Sequence, residues 1–400
     1  MCVNGADDEI VRVAARGDGV TGDGRHVPFA APGDRLRDDG TVAPGPRRRT
    51  PPCRHFGTCG GCQLQHLDDD AWAGFITDRI AGALRQHGLE TEIRTPLLSP
   101  PETRRRATFH AERRGRQVHL GFTEANSHRL VDVQECSVLH PELFRLLNPL
   151  RGLLSALLPG SRRANVHVTL ADQGRDVLID GLEAEGLAAA EALSGFARRH
   201  GLARLSLDEG LGPTPRWEPD PVTITLAGVP VPLPAGSFLQ ATAEGQAALV
   251  DAAREVAGDA AAVADLFAGL GTFTFAFPRA KVYAAEAARD AILSLKAAAG
   301  AAQRPVYADH RDLYRRPLTV ADLDHFDAVI LDPPRAGARE QAEELAICRV
   351  PSVAYISCNP STFARDAEIL CKGGYRLDWI QPVGQFRWST HVELAAKFRR

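Results

Sequence analysis

The chain has 400 residues, 44% of them hydrophobic and 24% charged, the proportions of a water-soluble protein. At roughly 100–200 residues per domain, two to four domains are expected. A formal charge of −3 excludes a uniformly basic nucleic-acid binder and leaves only local basic patches. No stretch reaches the ~20 uninterrupted apolar residues of a membrane span. The acidic start Met1-Cys2-Val3-Asn4-Gly5-Ala6-Asp7-Asp8-Glu9 lacks an apolar signal core, so a cytoplasmic protein without membrane contact is expected. Lysine stands only at 281, 296, 372 and 397, so 43 of the 47 basic residues are arginine; genomic base composition explains such a bias, and no single arginine carries weight. Eight cysteines in a chain without an export signal read as metal ligands or reactive thiols rather than disulfides.

In chain order, Glu9–Ala14 alternates like a strand, Gly17-Asp18-Gly19 is turn chemistry, and Val27-Pro28-Phe29 suggests a further strand, so residues 1–49 form a small β unit. Thr41–Pro52, rich in Pro and Arg, reads as a linker, and a cysteine knot follows at 53–62. Asp68-Asp69-Asp70 caps a helix whose Trp72, Phe75, Ile76, Ile80 and Leu84 recur at helical spacing, as core residues do, before Gly88 stops it. Residues 104–122 carry arginines at 104, 105, 106, 113, 114 and 116 among strand-like residues. Residues 50–140 thus hold the cysteines and begin a central domain that continues over 141–237. There Val166–Leu170 and Asp176–Asp180 read as strands, 184–200 as a helix, and 203–207 and 222–226 as strands. Pro230, Pro232 and Pro234 mark a boundary.

From 238 to 400 helices alternate with short apolar strands at 262–267, 282–286, 328–331 and 353–357. Solidly apolar strands are covered on both faces, which predicts a parallel, doubly wound sheet with ligands at the carboxyl ends of its strands. Asp265-Leu266-Phe267-Ala268-Gly269-Leu270-Gly271-Thr272-Phe273 places Gly-x-Gly directly after a strand, where glycine permits a sharp turn and close approach of a ligand. The third glycine of a dinucleotide fingerprint is missing. Glu286 ends the next strand, in position to accept ribose hydroxyls, and Asp309 or Asp312 follows the one after, in position to meet a base. This series favours an adenosyl ligand such as S-adenosylmethionine.

Three further segments carry chemistry. Leu331-Asp332-Pro333-Pro334-Arg335-Ala336-Gly337 is a proline-stiffened loop at a strand end, suited to gripping a planar base. Ser357-Cys358-Asn359-Pro360 puts a thiol where a strand gives way to a helix, whose N-terminal amides favour a thiolate. Glu393, inside the apolar Trp388–Leu394 segment, is set for a raised pKa and a role as proton acceptor. Cys53-x5-Cys59-x2-Cys62 with the distant Cys136 supplies four thiolates around a glycine-rich loop, a set that suits zinc or an iron–sulfur cluster.

Together Phe238-Leu239-Gln240, Asp265–Phe273, Glu286, Leu331–Gly337, Ser357–Thr362 and His391-Val392-Glu393 resemble the RNA uracil-C5 methyltransferases, a family that uses S-adenosylmethionine. With the N-terminal cysteines the resemblance covers nearly the whole chain. It implies an α/β protein: a C-terminal doubly wound, Rossmann-like class I methyltransferase domain, an N-terminal β-barrel-like unit that binds RNA, and a central α+β domain with an iron–sulfur site. It further implies Cys358 as nucleophile, Glu393 as base, and Gln240, Phe267, Thr272, Glu286 and Asp309 around the methyl donor, with Asp332 between donor and target base. Thr272 stands where the family commonly has Asn, and Ala268 where it has Cys. Family members with these cysteines carry a [4Fe–4S] cluster, which implies Cys53, Cys59, Cys62 and Cys136 as its ligands ahead of zinc. The cluster-bearing branch acts mostly on large-subunit ribosomal RNA, so 23S rRNA is the expected substrate and transfer RNA its rival.

Arg47–Arg49 and the 104–116 arginines are candidates for phosphate contacts. An RNA amino-group methyltransferase also uses an Asp-Pro-Pro loop but needs neither Cys358 nor Glu393, and a non-enzymatic RNA-binding protein needs no glycine motif. Replacing Cys358 with Ala is expected to abolish methylation and leave donor binding intact, as measured by transfer of labelled methyl and by calorimetry. Retained turnover would exclude a covalent thiol mechanism.

Overall fold

The computed structural model describes residues 8–125, 127–160 and 162–400; Cys2 and the rest of the Met1–Asp7 stretch lie outside them. The alternating segment forms β1 (Ile10–Val13), antiparallel to β2 (Gly19–Thr21), which pairs in turn with β3 (His26–Val27). A hairpin of β4 (Arg35–Leu36) and β5 (Val42–Ala43) joins this sheet through a bridge from Glu9 to Arg35. The described part of the expected barrel-like unit is therefore two small sheets meeting at an edge.

Asp34 holds them together. Its buried carboxylate accepts Ala31 N at 2.7 Å, Gly45 N at 2.7 Å and the Arg48 guanidinium at 2.6 Å. The Thr41–Pro52 stretch is consequently packed rather than a free linker, because its arginines meet acids on both sides. Arg47 pairs with Asp68 and Asp70, and Arg49 lies 5.3 Å from the centre of the Trp388 ring. Helix α1 (Asp69–Gln86) starts at Asp68, whose side chain accepts Ala71 N at 2.8 Å, and buries Trp72, Phe75, Ile76, Ile80 and Leu84. Strands β6 (Glu92–Ile93) and β7 (Leu97–Leu98) follow.

The central sheet comprises β8 (Arg106–Arg114), β9 (Gln117–Thr123), β10 (Leu130–Asp132), β11 (Arg163–Ala171), β12 (Gly174–Asp180), β13 (Leu202–Asp208) and β14 (Pro213–Trp217). Its order is β10-β9-β8-β11-β12-β13-β14, antiparallel except for β12 beside β13. The inward residues of its alternating strands, Phe109, Leu120, Val166, Val168, Val177 and Leu205, are buried in one core with α2 (Pro141–Phe144), α3 (Leu147–Leu157) and α4 (Gly186–Arg199). A hairpin of β15 (Thr223–Leu226) and β16 (Val229–Pro232) leads out of this domain.

The C-terminal domain runs through α5 (Ala243–Ala257), β17 (Ala262–Leu266), β18 (Lys281–Glu286), α6 (Arg289–Ala301), β19 (Val306–His310), α7 (Val320–Leu323), β20 (Ala328–Leu331), α8 (Arg339–Ile347), β21 (Ser352–Ser357), α9 (Pro360–Lys372), β22 (Arg376–Gly384) and β23 (Glu393–Arg399). The sheet order is β19-β18-β17-β20-β21-β23-β22-β6, with β7 also on β22. Strands β17 to β21 are mutually parallel, and β23 is inserted antiparallel between β21 and β22. Val329, Leu331, Val353 and Tyr355 are fully buried, as the apolar runs require. Helix α1 packs on α9 and β22, so residues 69–98 complete the C-terminal sheet although they precede the central one in sequence. Among the described residues no helix is long and apolar enough to cross a membrane.

Replacing Asp34 with Ala takes the acceptor from the Ala31 and Gly45 amides and the carboxylate from the Arg48 guanidinium, which keeps only Phe29 O. Removing one partner of such a pair costs about 3–5 kcal/mol, so denaturant unfolding is expected to show the N-terminal unit melting ahead of the rest.

Candidate active site

One cavity of about 1190 Å³ opens at the carboxyl ends of β17, β18, β20 and β21. It is lined by Gln240, Phe267, Thr272, Glu286, Asp312, Asp332, Cys358 and Glu393, and on its far wall by Cys53, Cys59, Cys62 and Cys136. The turn after β17 forms one side. Phe267 has φ 64° and Gly271 φ 98°, and a Cβ on Gly271 would come within 2.6 Å of the Phe275 ring. A bulky residue with positive φ is costly and marks a loop fixed for a purpose. Glu286 stabilises this loop: its carboxylate accepts Gly269 N at 2.9 Å and Ala288 N at 2.7 Å. Behind it Asp265 is fully buried; Oδ2 accepts the Thr274 hydroxyl at 2.5 Å, Oδ1 has no protein partner, and burial pushes its pKa up to about 7.

Of the two acids expected near a base, Asp312 lines the cavity. Asp309 instead accepts the Tyr283 hydroxyl at 2.6 Å on the neighbouring strand. Tyr314 was not anticipated; its ring lies 5.4 Å from that of Phe267 and its hydroxyl donates to Gly337 O at 3.0 Å, tying the donor side to the Asp-Pro-Pro loop. Gln240 is buried, its Oε1 accepting the Gln385 amide at 2.7 Å. These features fit an adenosyl ligand: a turn with no room for a side chain at Gly271, an acid fixed by backbone amides and an aromatic face.

The reactive side is set by strand pairing. Ser357 on β21 faces Leu394 on β23, so Cys358 and Glu393 follow on the next rung. Glu393 is 6% exposed; burial pushes its carboxyl up to about 7, against the Gln385 amide and the Arg335 and Arg106 guanidiniums. The thiol departs from expectation. Burial and then the Glu393 carboxylate push Cys358 up to about 11, against the pull of Arg335. The helix end offers less than expected because Asn359 caps α9 itself, its side chain accepting Ser361 N at 3.1 Å. Asp332 is pushed well above the carboxylate range by burial, then by Glu393.

Arg335 and His391, present in the motifs but without an assigned role, meet at 2.6 Å beside the pair. Burial and the Arg335 charge lower the His391 pKa, so the ring is neutral and can accept from the guanidinium. The arginines of the 104–116 segment were expected to contact phosphates. Arg104 and Arg106 turn into the cavity, Arg106 over the 63% exposed Phe238 at 4.4 Å, while Arg105 binds Gln240 O and Gln246. A triple-arginine run gives no sequence signal for which side chain points inward.

The four cysteines are free thiols on one wall. Burial, and behind it the charge of neighbouring thiols, pushes Cys53, Cys59 and Cys62 upward, so their thiolates need a cation among them. Among the described residues no three of His, Cys, Asp and Glu are gathered as one metal ion needs them. The donor chemistry fits a sulfur-ligated centre.

Residues 232–399 match the model of the tRNA (Uracil-5-)-methyltransferase family. The chain is 48% identical to an uncharacterized RNA methyltransferase of Zymomonas mobilis over 98% of this chain and 99% of that one. It is 30% identical to the 23S rRNA (uracil(1939)-C(5))-methyltransferase of Pectobacterium atrosepticum, over 89% of this chain and 81% of that one. In fold it is similar to the tRNA (uracil-54, C5)-methyltransferase of Pyrococcus abyssi, solved with S-adenosyl-L-homocysteine, with TM-score 0.74 and 23% identity over 99% of this chain and 100% of that one.

The raised carboxyl has a consequence for stability. Glu393 moves from an ordinary 4.5 to about 7 on folding, so its contribution is fully present below 4.5 and is lost as pH rises through 7. At 1.36 kcal/mol per unit the loss amounts to about 3 kcal/mol. Denaturant unfolding at stepped pH is expected to show this decline in the native protein and a flatter profile in Glu393→Gln.

Proposed function

From the premise that the chain belongs to the tRNA (uracil-5-)-methyltransferase family, we propose that it methylates C5 of a uridine in 23S rRNA through a covalent Cys358 adduct, with Glu393 as base. The methyl donor is S-adenosylmethionine and the substrate is RNA. The observation that carries the mechanism is the adjacent placement of Cys358 and Glu393 at the end of the β21–β23 pair, beside Asp332 and within the cavity that holds the glycine turn. The relative from Pectobacterium atrosepticum supports 23S rRNA; the Pyrococcus abyssi fold neighbour keeps transfer RNA as the alternative.

Uracil C5 is a poor nucleophile. The Cys358 thiol first gives its proton to solvent; addition of the resulting thiolate to C6 moves the C5–C6 electron pair toward O4 and leaves carbanion character at C5. C5 then takes the methyl group in line from the donor held by Gln240, Phe267, Thr272, Glu286 and Asp312. Asp332, between the two ligands, orients the ring. Glu393 removes the C5 proton, the electron pair restores the C5–C6 double bond, and the C6–S bond breaks to return the thiolate. Arg335 favours the thiolate in the first step, and a carboxylate with pKa about 7 is a suitable acceptor in the last. The ring reaches Cys358 only outside a base stack, so the target lies in a single-stranded or opened segment.

Cys53, Cys59, Cys62 and Cys136 would hold a [4Fe–4S] cluster. Methyl transfer consumes no electrons, so the cluster supplies structure. Anaerobically purified protein is expected to be brown with four irons per chain; colourless protein with one zinc would assign the site otherwise.

Covalent trapping tests the reaction. With 5-fluorouridine in place of uridine, fluorine replaces the departing proton and the methylated adduct stalls. An adduct on Cys358 with 23S rRNA fragments is expected by mass spectrometry. An adduct with transfer RNA alone would reassign the substrate, and none with either RNA, despite donor binding, would favour amino-group methylation.

A further inference from the structure

The loop leading into Glu393 is held by the cysteine segment, more than three hundred residues away in sequence. Gln63 N and Leu64 N both donate to Trp388 O at 2.9 Å. The Gln63 side chain then spans two loops: its Nε2 donates to Gly60 O at 2.6 Å, inside Cys59-Gly60-Gly61-Cys62, and its Oε1 accepts Thr390 N at 3.3 Å. The loop it grips is strained, since Trp388 has φ 57°. Surrounding groups enforce that conformation, with the Trp388 ring packed between Arg49 at 5.3 Å and Arg387 at 4.6 Å. Past Thr390 come His391, which meets Arg335 at 2.6 Å, and Glu393 beside Cys358.

We propose that Gln63 is a positioning residue for proton removal: the cysteine loop acts through its side chain to hold Trp388–His391, and thereby Glu393, in working arrangement. The proposal rests on the uracil-C5 reading above. It gives the N-terminal cysteines a definite task in a reaction that uses no electrons. The step that depends on Gln63 is the last one, in which the C5 proton passes to Glu393 as the C5–C6 double bond forms and the C6–S bond breaks. Thiol addition and methyl transfer, which precede it, rest on Cys358 and on Arg335 of the Asp-Pro-Pro loop, neither of which the Gln63 side chain bonds.

Full-length Gln63→Leu loses both side-chain hydrogen bonds; Gln63→Glu keeps an acceptor for Thr390 N. Each is compared with the native protein in turnover on ordinary RNA, trapping rate on 5-fluorouridine RNA, standing methylated adduct on ordinary RNA, and metal content. Loss of one well-placed hydrogen bond is a factor of about ten. Gln63→Leu is expected to lower turnover about tenfold, with trapping rate and metal content unchanged and methylated adduct accumulating, and Gln63→Glu, which still accepts from Thr390 N but has no donor for Gly60 O, to fall between Gln63→Leu and the native protein. Unchanged turnover, a parallel fall in trapping and turnover, or loss of metal with activity in both variants would overturn the proposal. Failure of the native protein to trap would instead overturn the uracil-C5 reading.

Discussion

The antiparallel insertion of β23 beside β21 is the constraint on which the site depends. A purely parallel sheet would deliver every strand's carboxyl end to the crevice, and no segment would enter the site from the amino end of a strand. Because β23 runs the other way, its first residue, Glu393, lies one rung beyond the Ser357–Leu394 pair, next to Cys358. The thiol arrives at the end of one strand and the carboxyl at the start of its neighbour. Their proximity is built into backbone pairing, which is stiffer than any arrangement of loops.

Burial, reinforced at Cys358 by the Glu393 charge, sets the charge state of the site. An anionic carboxyl and an anionic thiol side by side are mutually unfavourable, and burial penalises both. Each is pushed toward its neutral form, Glu393 to about 7 and Cys358 to about 11. Arg335 is the counterweight, and its contact with a neutral His391 keeps the guanidinium near the pair without adding a second positive charge.

Much of the catalytic domain was legible in sequence because its signals are local. Buried strands read as apolar runs, the glycine turn follows its strand directly, and Asp332, Cys358 and Glu393 sit at strand ends marked by prolines or polar residues. What was not legible depends on partners far along the chain. Residues 92–98 join the β22 edge, with Gln381 donating to Thr95 O across 286 positions, so a segment assigned by continuity to the central domain belongs to the catalytic sheet. Arg47–Arg49 read as a basic patch until Asp34, Asp68 and Asp70 are seen to meet them. The choice between Asp309 and Asp312 turns on Tyr283, which occupies Asp309 from the adjacent strand. The thiol was misjudged because helix polarity is visible in sequence, whereas the Asn359 cap and the burial that cancel it are not.

The N-terminal third has the same logic at larger scale. It contributes α1 against α9, two strands to the edge of the catalytic sheet, Arg49 against Trp388, and the cysteine segment against the loop before Glu393. They bear on α9 and on the β22–β23 side of the sheet, where Glu393 enters the cavity, whereas Gln240 is held by Arg105 of the central domain and by Gln385.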